Sequence, residues 1–480
     1  MTRLPTAALS AVLLLAACTP GPRDVRGSAP LPPARASETI APASGPAQAI
    51  EAGAEPLPRW WESFGSARLK ALVDVALAHN NDLAMAEATL RQAREQAAAV
   101  AGSQGPQVDA SLQSQRLRVS QTFSPPLPDP NAYIYTLHTA QLTVSYPIDM
   151  FGAGRSKVRS ARAAADVAAA RLVAARTTIV ANLALAVIQH ASLEAQIAAT
   201  HDAVESDRQL VTLLERRRAI GDLGEADVIA QKAALAAIEA TLPGLERQAE
   251  HQLGLIDSLT GVPAGSPPPD LPLMADLALP AGLPLGLPAD IIAHRPDVRA
   301  AEAQLRGAAA DLGTAIAARL PALQLTGNIG GSANRIEDLF ATGNPFFAVI
   351  GTLTQPIFHS RQLLHQQRAS AAALDAAKAQ YRSAALQAFL DVDDALAGLR
   401  TDAAALDAAS RANAAASRSF SLTRRQVELG ALGTTALLNA SVAASQATAL
   451  LVQAQAARLS DSVALFQATG TNLVIQSKED

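Results

Sequence analysis

The sequence predicts an α+β membrane protein. Four strands of each chain contribute to a transmembrane β-barrel, long α-helices continue it, and one structural unit occurs twice. Three observations predict this: a duplicated strand-to-helix unit, apolar/polar alternation in segments of barrel-wall length, and an export signal that ends at a single cysteine.

The duplication shows as constant offsets. Ser145 to Ile148 (Ser-Tyr-Pro-Ile) and Thr354 to Ile357 (Thr-Gln-Pro-Ile) each end an alternating strand and open a long Ala-rich helix. Asn81 to Ala88 matches Pro296 to Ala303, with Glu87 recurring as Glu302, an offset of 215. Pro147 recurs as Pro356, and the Gly221-x-x-Gly224 turn recurs as Gly430-x-x-Gly433, both at 209. The second unit has therefore lost six residues within its strands and their loop, where length varies most freely.

The amino terminus has Arg3 followed by an apolar run from Ala7 to Leu15, too short to span a bilayer, so residues 1–17 are expected to be a processed leader. Cys18 is the only cysteine, which excludes a disulfide framework and a thiolate metal cluster. Leu15-Ala16-Ala17-Cys18 resembles the bacterial lipoprotein processing site, which implies lipid on Cys18; the alternative is an ordinary signal with an incidental cysteine. Thr19 stands where a retention aspartate would sit, and by the same resemblance this implies the outer membrane.

Aromatic residues make up 3% of the chain, thin for large globular cores. A net charge of −4 with 17% charged residues and no basic stripe argues against nucleic-acid binding.

Residues 18–59 are rich in Pro, Gly, Ala and Ser without hydrophobic period and read as the lipid anchor and an extended segment. Trp60 and Trp61 mark the start of the body. Residues 60–260 form the first repeat: a helix from Ala67 to Ala101, strands near Val108 and from Ile134 to Ile148, then a helix from Ser156 to about Arg218 that returns to Thr260. A Pro/Gly-rich connector occupies 261–290, the second repeat 291–470 and a tail 471–480. In the strands, Val108, Ala110 and Leu112 share a face opposite Asp109, Ser111 and Gln113. Leu323, Leu325 and Ile329 alternate with Gln324, Thr326 and Asn328, and Phe346 to Phe358 is their partner. Such apolar-out, polar-in segments suit a barrel wall. In the first long helix Leu172, Ile179, Leu183 and Val187 form a stripe, and Ile197, Val204 and Val211 recur every seven residues, which predicts coiled-coil-like packing. Arg171, Arg176, Glu194 and Asp207 argue against a membrane-spanning helix.

Four strands cannot close a barrel in lipid, because open edges leave backbone groups unsatisfied. If these strands span lipid, three chains complete a twelve-stranded cylinder and bring their helix hairpins together as a second tube; soluble β-hairpins would escape the requirement.

Trp60-Trp61-x-x-Phe64, Asn81-Asp82-Leu83, Asp149-x-Phe151-Gly152, the two Pro-Ile strand ends and the paired Gly-x-x-Gly turns resemble the TolC-type outer-membrane efflux proteins. With the lipoprotein cysteine, the chain is similar to the subgroup of NodT-like and OprM-like ducts. The resemblance covers roughly Trp60 to Thr469. It implies a homotrimeric channel with a periplasmic helical tunnel and an equatorial region around the connector. It also implies a periplasmic membrane-fusion adaptor and an inner-membrane pump, of RND type, as partners, and the export of small molecules such as drugs. It places Gly221, Gly224, Gly430 and Gly433 at periplasmic tips where the adaptor docks. Glu225 and Asp227 either complement the dipole of the returning helix or line the aperture. Where relatives carry acidic residues in an Asp-Val-Leu-Asp run, this chain has Ala436-Leu437-Leu438-Asn439, so an acidic ring is not expected. Arg424, Arg425 and Glu428 precede the second turn as inter-helix ties or as solvated charges, and Arg425, Glu428 and Asn439 join the aperture candidates.

Phe151 to Lys157 lacks the G-x-x-x-x-G-K-[ST] spacing of a phosphate loop. The histidine pairs His359/His365 and His190/His201 lack the i, i+4 metal spacing, and no Gly-x-Ser-x-Gly elbow occurs. Neither enzyme chemistry nor a cofactor is expected. The alternatives are an outer-membrane duct for type I protein secretion and a non-conducting, lipid-anchored periplasmic scaffold.

Overall fold

The computed structural model describes residues 22, 25–43, 45–118, 134–263, 270–429 and 431–470. The leader, Cys18, the Pro125 to Pro130 loop, Gly430 and the tail lie outside the described residues. In chain order the elements are β1 (Glu38–Ile40), β2 (Gln48–Ala52), a 3-10 turn (Trp60–Phe64), α1 (Ala67–His79), α2 (Asn81–Gly102), β3 (Gln107–Arg118), β4 (Ile134–Ile148), α3 (Ala153–Ala219), α4 (Glu225–Glu239) and α5 (Leu242–Thr260). The second half has β5 (Gly282–Leu285), α6 (Pro288–His294), α7 (Pro296–Ala317), β6 (Ala322–Ala333), β7 (Pro345–Thr354), α8 (Ser360–Glu428) and α9 (Thr434–Thr469). Contacts divide the chain into two compact units.

The first unit, drawn from 89–168 and 301–381, holds an antiparallel sheet in the order β3-β4-β6-β7. Its register stacks the alternating faces of both repeats: Val108, Val144, Gly327 and Val349 form one row, and Ala110, Leu142, Ile329 and Phe347 the next. Within one chain this apolar face is open to solvent, with Phe347 80% and Val349 73% exposed. The opposite face is tied by polar groups: Gln324 Nε2 donates to Ser145 Oγ at 2.6 Å, and Thr139 and Ser332 bond at 3.1 Å. At the strand-to-helix junction Gly152 takes φ +80° and the Asp149 carboxylate accepts from the Arg155 backbone N–H at 2.9 Å. Burial alone would raise Asp149, but the backbone N–H groups of Arg155 and Gly154 and the Arg155 guanidinium hold its carboxyl below the ordinary value. The Asp-x-Phe-Gly motif is thus a helix cap. Val25 packs on the cluster of Leu305, Ala309 and Leu374.

The second unit, drawn from 29–88, 169–300 and 382 onward, holds a three-stranded sheet in the order β1-β2-β5, with β2 and β5 parallel. The segment read as merely extended therefore supplies two strands. Arg35 pairs with Asp393 and Glu38 with Arg400 along α8. Trp60 stacks on Phe466 with centroids 5.4 Å apart, and Phe64 closes the group edge-on.

Other expectations are corrected. The single helix over 67–101 is two, because Asn80 is extended (ψ 127°), ends α1 and caps α2 by accepting from the Leu83 N–H at 3.0 Å. The first returning helix is broken before Pro243, which opens α5. The strand expected to reach Phe358 ends at Thr354, where the Gln355 side chain turns to donate to the Arg319 carbonyl and Pro356 lacks an N–H. The two long helices run 67 and 69 residues, about 100 Å each. The charges of α3 do not exclude a membrane span by composition: α3, like the α4–α5 stretch and α9, holds a window apolar enough to cross. In α3 that window is 61% buried inside the protein, so its apolarity serves helix packing.

Candidate functional site

The two helix reversals were the sites marked by the sequence, and both lie in the second unit. In the first, the Gly221 N–H donates to Arg218 and the Asp222 N–H to Arg217, and Gly221 adopts φ +79°. In the second, the Leu429 N–H donates to Arg425 and the Ala431 N–H to Gln426, the counterpart of the Asp222 bond at the offset of 209. Gly224 and Gly433 share one extended conformation, φ −77° and ψ 159° against φ −78° and ψ 159°, and each opens the returning helix.

Side chains join the two reversals. Leu210, Leu214 and Val228 of the first pack with Val427 and Leu437 of the second, with Phe420 against them. Arg217 reaches across: its Nη1 donates to the Val427 carbonyl at 2.9 Å, while its Nε holds Asp222 at 2.6 Å. Thr434 Oγ1 donates to Asp227 Oδ1 at 2.5 Å. Asp227 therefore bonds to the opposite turn, a role not among those weighed from sequence. Glu225 stands exposed in the first turn of α4 and pairs with Arg218 at 3.3 Å. Arg424 and Glu428 pair with each other at i, i+4, and Arg425 and Asn439 are exposed.

Above the reversals α3 meets α9 through a buried carboxylate. Asp207 is fully buried; its Oδ1 accepts from Ser441 Oγ at 3.0 Å and, among the described residues, its Oδ2 has no partner. Burial pushes the Asp207 carboxyl up, and the Ser441 bond offsets only part of this. Sequence reasoning used Asp207 only as a charge against a membrane span, although it stands three residues after Val204 and four before Val211, a core position of the heptad stripe. Beside it, where α4 breaks from α5, lies a cavity of about 640 Å³ lined by Thr200, Ser206, Thr241 and Phe420. Among the described residues no three His, Cys, Asp or Glu converge as a metal site.

Known proteins match this architecture. The family model described as "Outer membrane efflux protein" matches twice, over residues 72–262 and 287–471. The pyoverdine export outer membrane protein OpmQ of Pseudomonas putida is 28% identical over 92% of this chain and 94% of its own length. The outer membrane protein OprJ of Pseudomonas aeruginosa is 30% identical over 83% of this chain and 82% of its own. The solved outer-membrane channel OprN superimposes with a TM-score of 0.86 at 26% identity, covering 95% of this chain and 99% of that one.

Proposed function

The chain belongs to the outer membrane efflux protein family, and from that premise we propose that it is the exit duct of a tripartite efflux system, working as a homotrimer with a periplasmic adaptor and an inner-membrane pump of RND type. The observation that carries this reading is the four-stranded sheet with one apolar, solvent-open face and two unpaired edges, β3 and β7. In lipid those edges must be paired, and three copies joined edge to edge give twelve strands. The cargo is small molecules, and the protein's own contribution is a path rather than a reaction.

The reversals at Gly221, Gly224, Gly430 and Gly433 are the docking tips. The bonds from Thr434 to Asp227 and from Arg217 to the Val427 carbonyl hold the paired turns closed, and opening repacks these helices. Glu225, Asp227, Arg425, Glu428 and Asn439 stand at this end, and with Asn439 in place of an acid the constriction selects little on charge. Cys18 carries the lipid. Seven residue steps lead from it to Val25, a reach of up to about 25 Å. Leu305, against which Val25 packs, has roughly 18 Å of helix left before α7 ends and the chain turns into the sheet.

The test is single-channel conductance in planar bilayers together with oligomeric mass in detergent. Trimers with low conductance that rises severalfold in Thr434→Ala with Arg217→Ala support the reading. A monomer, or a trimer that never conducts in either form, overturns it.

A further inference from the structure

Arg458, on α9, is 1% exposed, yet among the described residues no carboxylate pairs with it. Its Nε donates to Gln48 Oε1 at 3.2 Å and its Nη2 to the Pro46 carbonyl at 2.9 Å, both neutral acceptors, and among the described residues its Nη1 has no partner. Asp461, one turn further on the same helix, does not serve it: its carboxyl interacts with Asp402 and fills the hollow over Gly398. A buried cation held only by neutral groups is costly, and an idle buried N–H adds to the cost. Burial accordingly lowers the Arg458 guanidinium below its usual range.

Arg458 also lines a cavity of about 550 Å³, within the size range of small-molecule sites. Leu277, Leu279, Leu406, Leu451 and Leu459 make most of its wall apolar. Gly45 takes φ +107°, and the space its missing Cβ would fill lies 3.4 Å from Leu406 Cδ2 and 3.5 Å from Arg458 Nη1. The open side of Gly45 therefore faces both the apolar wall and the idle donor. A side chain there would occupy both.

We propose that this cavity is a binding site for a small alkyl carboxylate, its head accepting from Arg458 Nη1 beside Gly45 and its chain lying against Leu406 and Leu459. One guanidinium matches one negative charge. A phosphate monoester brings up to two and leaves the second uncompensated in an apolar chamber. The site is separate from the helix reversals and does not depend on the transport reading.

The test is calorimetric titration of the full-length protein in lipid nanodiscs with hexanoate, against empty nanodiscs, using hexanol and acetate as probes that keep only the chain or only the head. Saturable binding of one hexanoate per protomer, at least tenfold tighter than either comparison, is expected. Arg458→Gln should erase the preference over hexanol. Ala195→Phe, which fills the cavity and keeps the arginine, should abolish binding with the oligomeric mass unchanged. Absence of saturable binding, equal affinity for hexanol, or undiminished binding in Ala195→Phe overturns the proposal. A loss of oligomer in Arg458→Gln without any hexanoate binding to the unmodified protein assigns the arginine to subunit contact instead.

Discussion

The two repeats close on themselves at equivalent places by different chemistry. In the first, Asn80 separates α1 from α2 and its Nδ2 donates to the Leu259 carbonyl in the last turn of α5 at 2.9 Å. In the second, Arg295 separates α6 from α7 and its Nη1 donates to the Ala468 carbonyl in the last turn of α9 at 3.1 Å. Each returning helix then stops at a glycine of positive φ, Gly261 at +73° packed on His79 and Gly470 at +75° packed on Arg295. Asn80 acts alone, whereas Arg295 also holds Asp297 and Asp391, both at 2.7 Å. The contrast recurs along α8 and α9, where at the offset of 209 Arg458 corresponds to Ala249, Asp461 to Gln252 and Asp402 to Leu193, while the buried Asp207 of the first repeat, with Ala416 as its counterpart, runs the other way. One backbone solution thus tolerates either chemistry, and the two should differ in what their loss costs.

Removing Arg295 should break the comparison most visibly. Arg295→Ala takes the guanidinium from Asp297, which keeps the Val298 N–H, and from Asp391, which keeps Gln387, and removes the side-chain donor of the Ala468 carbonyl; with both carboxylates partly exposed it should cost about 3 kcal/mol, read as a large fall in the melting temperature of the detergent-solubilised protein. Gly261→Ala comes next. A Cβ there would stand 2.5 Å from the His79 carbonyl oxygen in a left-handed conformation, so a cost of about 2–3 kcal/mol is expected from clash and strain together. Gly470→Ala, whose Cβ has 3.2 Å to Arg295, should cost less in the same melt.

Asn80→Ala removes a neutral cap and one hydrogen bond and should cost about 1–2 kcal/mol, less than Arg295→Ala; equal losses would sink the claim that the charge makes the difference. The smallest effect concerns pH. Burial first, then the charge and hydrogen bond of Asp402, push Asp461 from 3.8 to about 7. Its folded value lies above the unfolded one, so folding takes up a proton between those limits. Stability from this group is full below the lower value and is lost as pH rises through the upper. Asp461→Asn should flatten that slope and raise the melting temperature at pH 8, by the equivalent of about 1 kcal/mol after allowance for partial exposure.

The strands were legible because strand alternation has a period of two and each face has its own solvent: the shared face of Val108, Ala110 and Leu112 follows from their spacing alone, whereas the register that joins Val144 to Gly327 does not. The long helices and their reversals were legible from Ala-rich stretches without proline and from Gly-x-x-Gly. The break at Asn80 was also written in the sequence, as an Asn-Asn-Asp capping signature ahead of an apolar run, but helical spacing on both sides hid it. The sheet of β1, β2 and β5 was not legible. Gln48 to Ala52 is a short run inside a Pro-rich stretch, and its partner lies across the whole first repeat. The cross-turn bonds of Arg217, Asp227 and Thr434 were hidden for the same reason, since a single sequence pairs no residues 200 positions apart.

The pairing of β2 with β5, and of β4 with β6, has a consequence for biosynthesis. Ala49 finds Gly282 only after the connector exists, and Ser145 finds Thr326 only after the second repeat has begun. A chain delivered from its amino end presents β2 and the β3–β4 hairpin with open edges for as long as those later residues take to emerge. Edges of that kind recruit other chains, and long-range pairing is slow. The interval between the two halves, rather than the finished fold, is therefore when these edges stand most open to mispairing.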